Sequence, residues 1–580
     1  MKIPEKGLED FCLDLIDRCR ASRPDRSRNY NALKQYYFAG SATGTPSKYN
    51  MCLSHIDRLS SYLFSPSDVN FRVHFALGES IKNVPKDWSN IFTEMFKAKK
   101  QKPQELKYND WPEMGRLGAS YLNYEFGRTA VDTKISSALD WALIKGTSFV
   151  NVLWGPNGFE PYVWQPEMMG VLREDITGLD RQEAFTATSY ITMNQFKQKI
   201  KFARNKDDLM KKVRKKARNI GVQERFTNDF LHQIVVGGTA TSSNPNGNLK
   251  ASAQIFGMPT PKLSPKTMQD LLICHEIWIQ DDDRDDWTTI QLIEPDIIIE
   301  GKLQRRNLSG IKGETSFKQI CPNPVEGYFW GNPELNPLLG LQDQMNIRIA
   351  QVNRVLKKRT RPSWAMSGFS GDTDNIKSAM DSADGILLAE QGPSSKVDKM
   401  QPDGPEDLVA DIKRIKETFD DVAGFAPIVR GEGESGVRSG AHAETLVRTA
   451  SPRMRDKAIL VEKEVSTIGD YCFKLLQAKT AKSFTTRAGD EFLLAQLPED
   501  VRVYVDSHSA SPAFSEDGRN LAYQLAKLGA IDHVSLLELV HPANEEVLVQ
   551  RARDKQESEA KLIQEHPEVL LGKGKGKSHH

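Results

Sequence analysis

Apolar residues recur at helical spacing over two long stretches in the second half of the chain. In the first stretch they are three or four residues apart from Leu338 to Leu356, and Pro362 ends the pattern. In the second, the same spacing begins at Leu408, and Gly424 is placed to cap the helix. The pattern predicts two long amphipathic helices that flank a smaller segment.

The apolar stripes are the surfaces on which these helices are predicted to pack. A helix with such a stripe is stabilised mainly by burying it against a neighbouring element. The predicted packing residues are Leu338, Leu341, Met345, Ile349, Val352, Leu408, Ile412, Ile415 and Phe419.

The first half of the chain changes from helical to β-like patterning. Helices are predicted within the first 20 residues and at 49–64, 88–96 and 131–145. After residue 147, β-branched and aromatic residues dominate several segments that turn signals separate. The segments predicted as strands are SFVNVLW, PYVWQ, AFTATSYITM, LLICHEIWIQ and TTIQLIE. The predicted fold class is α+β and predominantly helical.

Other segments complete this prediction. A basic helical stretch at 194–218 precedes the soft segment GGTATSSNPNGN, which is typical of a loop. Between the two long helices, NIKSAM predicts a short helix and GILLAE a strand. A third long helix is predicted at 441–478, kinked or restarted at Pro452, and a helical tail at about 515–564.

The charge balance bears on nucleic acid. Among 580 residues, Lys and Arg number 78 and Asp and Glu 77, for a net charge of +1. A protein that binds DNA tightly usually has an excess of basic residues. This chain therefore either does not contact nucleic acid or contacts it without binding it tightly.

No apolar run approaches the roughly 20 residues of a membrane helix. The opening residues lack an apolar segment, and the six cysteines are scattered, which predicts an unexported protein with reduced core thiols.

The glycine-rich stretch GEGESGVRSG, residues 431–440, contains the spacing G-x-G-x-x-G. A dinucleotide site requires a preceding strand, whereas a long helix precedes this stretch. The tail GKGKGKS does not match a phosphate-binding loop, so no cofactor is predicted. We interpret the stretch as a flexible loop between helices. Its charges are balanced, because the positive Arg430 and Arg438 are matched by the negative Glu432 and Glu434.

Five aspartates lie between residues 281 and 286. A calcium-binding EF-hand loop needs glycine at its sixth position and glutamate at its twelfth, where this chain has Asp286 and Leu292. The run is therefore interpreted as a solvated hairpin turn, with no metal. The alternative is a metal-dependent nuclease that uses Asp281, Asp283 and Asp285 as ligands.

Residues 328–476 contain, in this order, the segments GYFWGNPELNPLLGLQDQMNIRIAQVNR, RPSWAMSG, GILLAE and DIKRIKETFDDVAGFAPIVRGEGESGVRSGAHAETLVR. The order of these parts resembles the central part of tailed-bacteriophage portal proteins. The upstream LIKGTSFVNVLW and the downstream LAKLGAIDHVSLLELVHP are similar to wing and crown segments of that family. The chain departs from shorter relatives in the long stretch at 194–266.

The resemblance implies a portal fold with wing, stem, clip and crown. The implied divisions are the wing at 1–333, the first stem helix at 334–360, the clip at 361–404, the second stem helix at 405–424, the tunnel loop at 425–439, a long kinked helix and further wing at 440–513, the helical crown at 514–572 and a disordered tail at 573–580.

The resemblance also implies a function without enzymatic activity. Such proteins form a ring, usually a dodecamer, at one capsid vertex of the virion, and they assemble in the host cytoplasm. Double-stranded DNA enters and leaves through the ring without being read for sequence. The implied partners are the terminase large subunit, head-tail adaptor or tail proteins, and the major capsid and scaffolding proteins, with no membrane.

In that setting, Arg430, Glu432, Glu434 and Arg438 are predicted to face the DNA channel. The basic cluster Lys357, Lys358, Arg359 and Arg361 lies where the stem meets the clip. It is either a solvated helix end or a contact with DNA or with the motor. A coiled-coil scaffold that does not form a ring is the remaining alternative. It is disfavoured because each stripe ends after a few turns.

Overall fold

The computed structural model describes most of the chain, in separate segments. The described residues are 1–4, 6–21, 23–41, 49–66, 69–75, 111–201, 206–219, 271–294, 296–300, 307–360, 363–370, 374, 390–400, 403–424, 452–485, 491–497, 501–505, 523–528, 536, 551 and 555. Together they form a mixed fold of helices and sheets.

Helices dominate the described part of the first 145 residues. They are α1 (Leu8–Arg20), α2 (Arg23–Ala39), α3 (Met51–Leu63), α4 (Trp111–Arg128) and α5 (Val131–Lys145), with strand β1 (Phe71–Phe75) between α3 and α4. The Asn50 side chain accepts a hydrogen bond from the Leu53 amide at 3.1 Å and so caps the start of α3. Gly146 ends α5 in a positive-φ conformation, φ 89°, which favours glycine.

Two antiparallel sheets follow. Their elements are β2 (Ser148–Gly155), β3 (Gly158–Trp164), β4 (Met169–Val171), β5 (Ala184–Thr192), α6 (Met193–Lys199), α7 (Lys206–Asn219), β6 (Leu271–Asp281), β7 (Asp286–Ile293), β8 (Ile297–Glu300) and β9 (Phe317–Ile320). The order in the larger sheet is β4-β5-β6-β7-β8, and in the smaller sheet β3-β2-β9. Each strand pairs with its neighbours in antiparallel register, for example Thr188 with His275.

The larger sheet is covered on both faces. Along β6, Ile277 and Ile279 belong to the apolar cluster that α1 covers. Leu272, Cys274 and Trp278 belong to clusters that include α7 and the buried aromatic rings of the neighbouring strands. Because alternate residues of a strand point to opposite faces, α1 and α7 lie on opposite faces of the sheet.

The second half of the chain contains the long helices. Its elements are α8 (Leu339–Thr360), β10 (Ser363–Ser370), β11 (Glu390–Met400), α9 (Glu406–Ala423), α10 (Pro452–Lys479), β12 (Ser483–Thr485), β13 (Glu491–Leu493) and β14 (Val501–Val505). Strand β14 pairs with β1, so a strand from the first 75 residues and one from beyond residue 500 form one two-stranded ribbon. Helix α10 crosses the largest core, in which Val465 and Ile468 are fully buried.

Most of the predicted elements have counterparts here. The helix at 131–145 has the predicted bounds, and the helix predicted at 49–64 lies at Met51–Leu63. All five strand segments predicted between 148 and 294 coincide with strands, except that Gln165, Met193 and Glu294 at their ends lie just outside. The basic stretch at 194–218, predicted as helical, contains the helices α6 and α7.

Several bounds differ from the prediction. Helix α8 begins at Leu339 rather than at 334, because Asn336–Leu338 forms a tighter 3-10 turn that contains Pro337. Strand β10 was not predicted. The segments 88–96, NIKSAM and GGTATSSNPNGN, most of GILLAE and nearly all of the predicted tail helix lie outside the described residues, as does the part of the third helix before Pro452.

All six cysteines are buried and unpaired, as predicted. Within the described part of the chain, no helix is both long enough and apolar enough to cross a membrane.

Candidate functional site

Helices α8 and α9 pack against each other as an antiparallel pair, which we call the two-helix arm. Arg348 on α8 donates a hydrogen bond from Nε to Asp411 Oδ2 on α9, at 2.5 Å. Arg414 donates to the other carboxylate oxygen of Asp411, at 2.6 Å. The hydrogen bond from Arg348, followed by that from Arg414, lowers the pKa of Asp411. The two helices are thus joined by a charged contact as well as by their apolar stripes.

The base of the arm is the start of α8, where Gln342 and Asp343 lie. Gln342 is fully buried, and its Oε1 accepts a hydrogen bond from the Met51 amide at 2.9 Å. Its Nε2 donates to the Tyr49 carbonyl, also at 2.9 Å. Asp343 accepts from the Tyr36 hydroxyl at 2.6 Å. These contacts fix the arm to helices α2 and α3.

A buried carboxylate, Glu334, anchors the segment that leads into the arm. Its Oε2 accepts hydrogen bonds from Lys457 Nζ at 2.5 Å and from Asn323 Nδ2 at 2.8 Å. His55 Nε2 lies 3.6 Å from Oε1, and the Glu334 amide donates to the Leu143 carbonyl at 2.9 Å. Burial alone would raise the pKa of Glu334, but the contacts with His55, Lys457 and Asn323 outweigh it and lower the pKa to about 2.

The segment before the arm also touches the end of α5. Gly331 and Gly146 face each other so closely that a Cβ on either residue would collide with the backbone carbonyl of the other. Glycine is therefore required at both positions. The contact holds the segment that leads into α8 against the end of α5, just before β2.

Burial falls along the stripe of α8 from base to tip. Leu338 and Met345 are fully buried, Ile349 and Val352 are half-buried, and Leu356 is 45% exposed. Leu341, beside the base, is half-buried and packs against the main core.

Helix α9 runs in the opposite direction and shows the same trend. Leu408 and Ile412 are half-buried, whereas Ile415 and Phe419 are almost fully buried. Gly424 ends α9 in the left-handed conformation, as predicted. The arm is therefore rooted in the core at one end only.

At the tip, the arm continues into an antiparallel ribbon. Strand β10 pairs with β11 from Ser363 opposite Met400 to Ser370 opposite Glu390, with a register shift between Ser367 and Phe369. Lys357, Lys358 and Arg359 are exposed in the last turn of α8, directly before this ribbon. The fourth member of the basic cluster, Arg361, lies outside the described residues.

The predicted channel residues are not among those that the structure describes. Arg430, Glu432, Glu434 and Arg438 all fall in the undescribed range 425–451. The described chain stops at Gly424 and resumes at Pro452, so the assignment of this loop to a channel stays a prediction.

The aspartate run forms the turn between β6 and β7. Asp281 is buried, with Oδ1 accepting from the Asp283 amide at 3.1 Å and Oδ2 accepting from the Thr288 hydroxyl at 3.2 Å. Asp286 Oδ1 accepts from the Gly313 amide at 2.7 Å. These carboxylates stabilise the hairpin and the loop that packs on it. No three His, Cys, Asp or Glu residues in the described segments are arranged to hold a metal ion.

Two features of this site were not found from the sequence. The Glu334 cluster joins residues as far apart in sequence as His55 and Lys457, and the contact between Arg348 and Asp411 joins two helices. The only local signal for the first was a glutamate within GNPELNP, which is part of the segment that carries the family resemblance.

The chain was compared with known proteins. No protein-family model matches it, and no curated protein matches it. Among solved structures, it is similar to a chain described as the neck of an empty GTA particle computed with C6 symmetry, at 10% sequence identity and a TM-score of 0.36. The similarity covers 89% of this chain and 94% of that one. A TM-score of this size does not establish a shared fold.

Proposed function

We propose that the chain is a subunit of a phage portal ring. The ring would stand at one capsid vertex of the virion, pass double-stranded DNA inward and outward, and serve as the docking platform for terminase and then for head-completion or tail proteins. The observation that carries the proposal is the two-helix arm, which is rooted in the core at its base and loses burial toward its tip.

An arm of this kind needs partners along its length. Ile347 on α8 is 55% exposed and Val409 on α9 is 51% exposed. Both lie off the stripes through which the two helices pack, so each helix has apolar surface on more than one side. Neighbouring copies of the same chain would cover this surface, and a repeated head-to-tail contact that closes on itself forms a ring.

The charge of the chain suits a conduit. Strong phosphate contacts would slow a sliding duplex, and the residues proposed to face the duplex are two arginines and two glutamates, whose charges cancel. In this proposal the glycine-rich loop after α9 lines the bore, with Arg430, Glu432, Glu434 and Arg438 facing the DNA. The exposed Lys357, at the tip of the arm, would contact the packaging motor or the DNA.

The proposal assigns no catalytic chemistry to the chain. Of the aspartates that a nuclease would use, Asp281 is buried and its carboxylate accepts hydrogen bonds within the hairpin between β6 and β7. The partner motor would supply ATP hydrolysis. Alanine at Asp281, Asp283 and Asp285 would leave a portal ring competent, whereas it would abolish a nuclease.

Mass measurement of the purified protein tests the proposal. Twelve copies of 65.2 kDa give a particle of about 780 kDa. A single mass of this order that persists on dilution supports a ring, and subunit counts near twelve support it equally. A particle that stays at one or two copies at every concentration tested contradicts it.

A further inference from the structure

Helix α7 and the segment before it concentrate positive charge. Residues 193–219 contain eleven Lys and Arg against two Asp, a net charge of +9. Because the whole chain has a net charge of +1, the other residues together carry −8. The balance of the whole chain therefore conceals one strongly basic region in an otherwise acidic protein.

The charges of α7 lie on its outer side. Leu209 and Val213 are buried in the cluster that packs on β8, together with Phe196 and Ile200. The side that faces solvent, which we call the basic face, is formed by Lys206, Lys211, Lys212, Arg214 and Lys215. None of these five has a salt-bridge partner among the described residues. Their charge is thus available to a partner.

The composition of the basic face indicates which class of partner it fits. Protein interfaces are enriched in aromatic residues, Met and Arg at their centre and are depleted in Lys. The basic face has four lysines and one arginine, and no apolar residue with a described side chain is exposed on α7. A membrane-surface helix needs a free apolar side to insert, whereas the apolar side of α7 is already packed on the sheet.

We infer that the basic face of α7 binds the phosphate backbone of double-stranded DNA without reading its sequence. From residue 206 to residue 215 the helix rises about 14 Å, which spans about four phosphates of one strand. Four of the five cations are lysine ammonium groups, which neutralise phosphates as point charges, and all five lie on one helix. This goes beyond the proposed function, because passage of a sliding duplex requires no such grip.

The test is binding of a fluorescein-labelled 30-base-pair duplex of arbitrary sequence, followed by anisotropy between 50 and 200 mM NaCl. With about four phosphates neutralised, the logarithm of the binding constant should fall with the logarithm of salt at a slope of about −3.6. Lys211→Glu with Lys215→Glu should weaken binding at 100 mM salt at least about tenfold and reduce the slope by about 2.

A matched control has the same change of charge elsewhere. Lys134→Glu with Lys312→Glu alters two exposed lysines outside the basic face and should change affinity less than about twofold. Equal losses in the two variants, or no duplex binding by the unaltered protein, would overturn the inference. Binding of poly-L-glutamate but not of the duplex would assign the face to an acidic protein instead.

The result is independent of whether the chain forms a ring. Mass measurement of the unaltered protein and of both variants reports assembly separately. Duplex binding that depends on Lys211 and Lys215 supports the inference in a monomer as well as in a ring.

Discussion

Arg348 Nε lies 2.5 Å from Asp411 Oδ2 and joins α8 to α9 near the middle of the two-helix arm. The residues are 63 positions apart, and the ribbon β10–β11 lies between them in sequence. Asp411 also accepts a hydrogen bond from Arg414, so one carboxylate holds two guanidinium groups. This contact fixes how the two helices are aligned along the arm. At this position along the arm, neither helix has a fully buried residue.

Reversing one of these charges should loosen the arm, and exchanging both should restore part of the loss. Arg348→Asp alone brings two carboxylates together, and Asp411→Arg alone brings three guanidinium groups together. The double variant recreates an opposite pair, so its effect should be smaller than the sum of the single effects. Amide hydrogen exchange in α8 and α9 measures this. Additive protection losses would show that the contact does not couple the helices.

Gln342 should be essential to the attachment of the arm, whereas its neighbour Gln344 should not. Gln342→Met keeps the volume but leaves the Met51 amide and the Tyr49 carbonyl without their buried partner. The expected loss is about 2–4 kcal/mol in the free energy of unfolding. Gln344 is exposed, and Gln344→Met should change it by less than about 0.5 kcal/mol. Urea unfolding of both variants makes the comparison, and equal stabilities would contradict the assigned role of Gln342.

The contrast between Gln342 and Gln344 shows what the sequence can and cannot predict. Helical spacing and the residues Pro362 and Gly424 predicted the length and stripes of the arm, because these are local properties. Helical spacing also places Gln342 on the buried side of α8, four residues after Leu338 and three before Met345, and places Gln344 off it. No local pattern identifies the backbone groups of Met51 and Tyr49 that satisfy the buried amide. Strand β10 was missed for a related reason, since SWAMSGFS lacks a regular apolar alternation and pairs with a polar strand.

The Glu334 cluster predicts a specific dependence of stability on acid. The folded-state pKa of Glu334 is about 2, below the ordinary value of 4.5. Its stabilisation is therefore fully present above about pH 4.5 and is lost as the pH falls toward 2. The shift corresponds to about 3 kcal/mol.

Glu334→Gln removes this ionisation and provides the comparison. The unaltered protein should be the more stable of the two at pH 6, and the difference should shrink steadily between pH 4.5 and pH 2.5. Urea midpoints at fixed pH values measure it. A difference that stays constant over this range would show that the carboxylate of Glu334 is not held ionised by its partners.

The exposed apolar residues that lie outside the packing stripes of α8 and α9 should be needed for the assembly of subunits but not for folding. Ile347→Lys with Val409→Lys places two charges at exposed positions, so the melting temperature of the single chain should change little. The proposed contact between subunits would be lost, and the assembled fraction should fall at least about tenfold at the same concentration. Val325→Lys, at a residue that is 40% exposed outside the arm, is the control and should assemble normally. Normal assembly of the double variant would place the subunit contact elsewhere.

Electron microscopy of the purified protein tests the central claim most directly. The account predicts a closed ring with an axial opening wide enough for a DNA duplex, in which α8 and α9 of every copy stand around the opening and the loop after Gly424 projects into it. A particle without a central opening, or a ring in which these helices lie on the outer rim, would contradict the account.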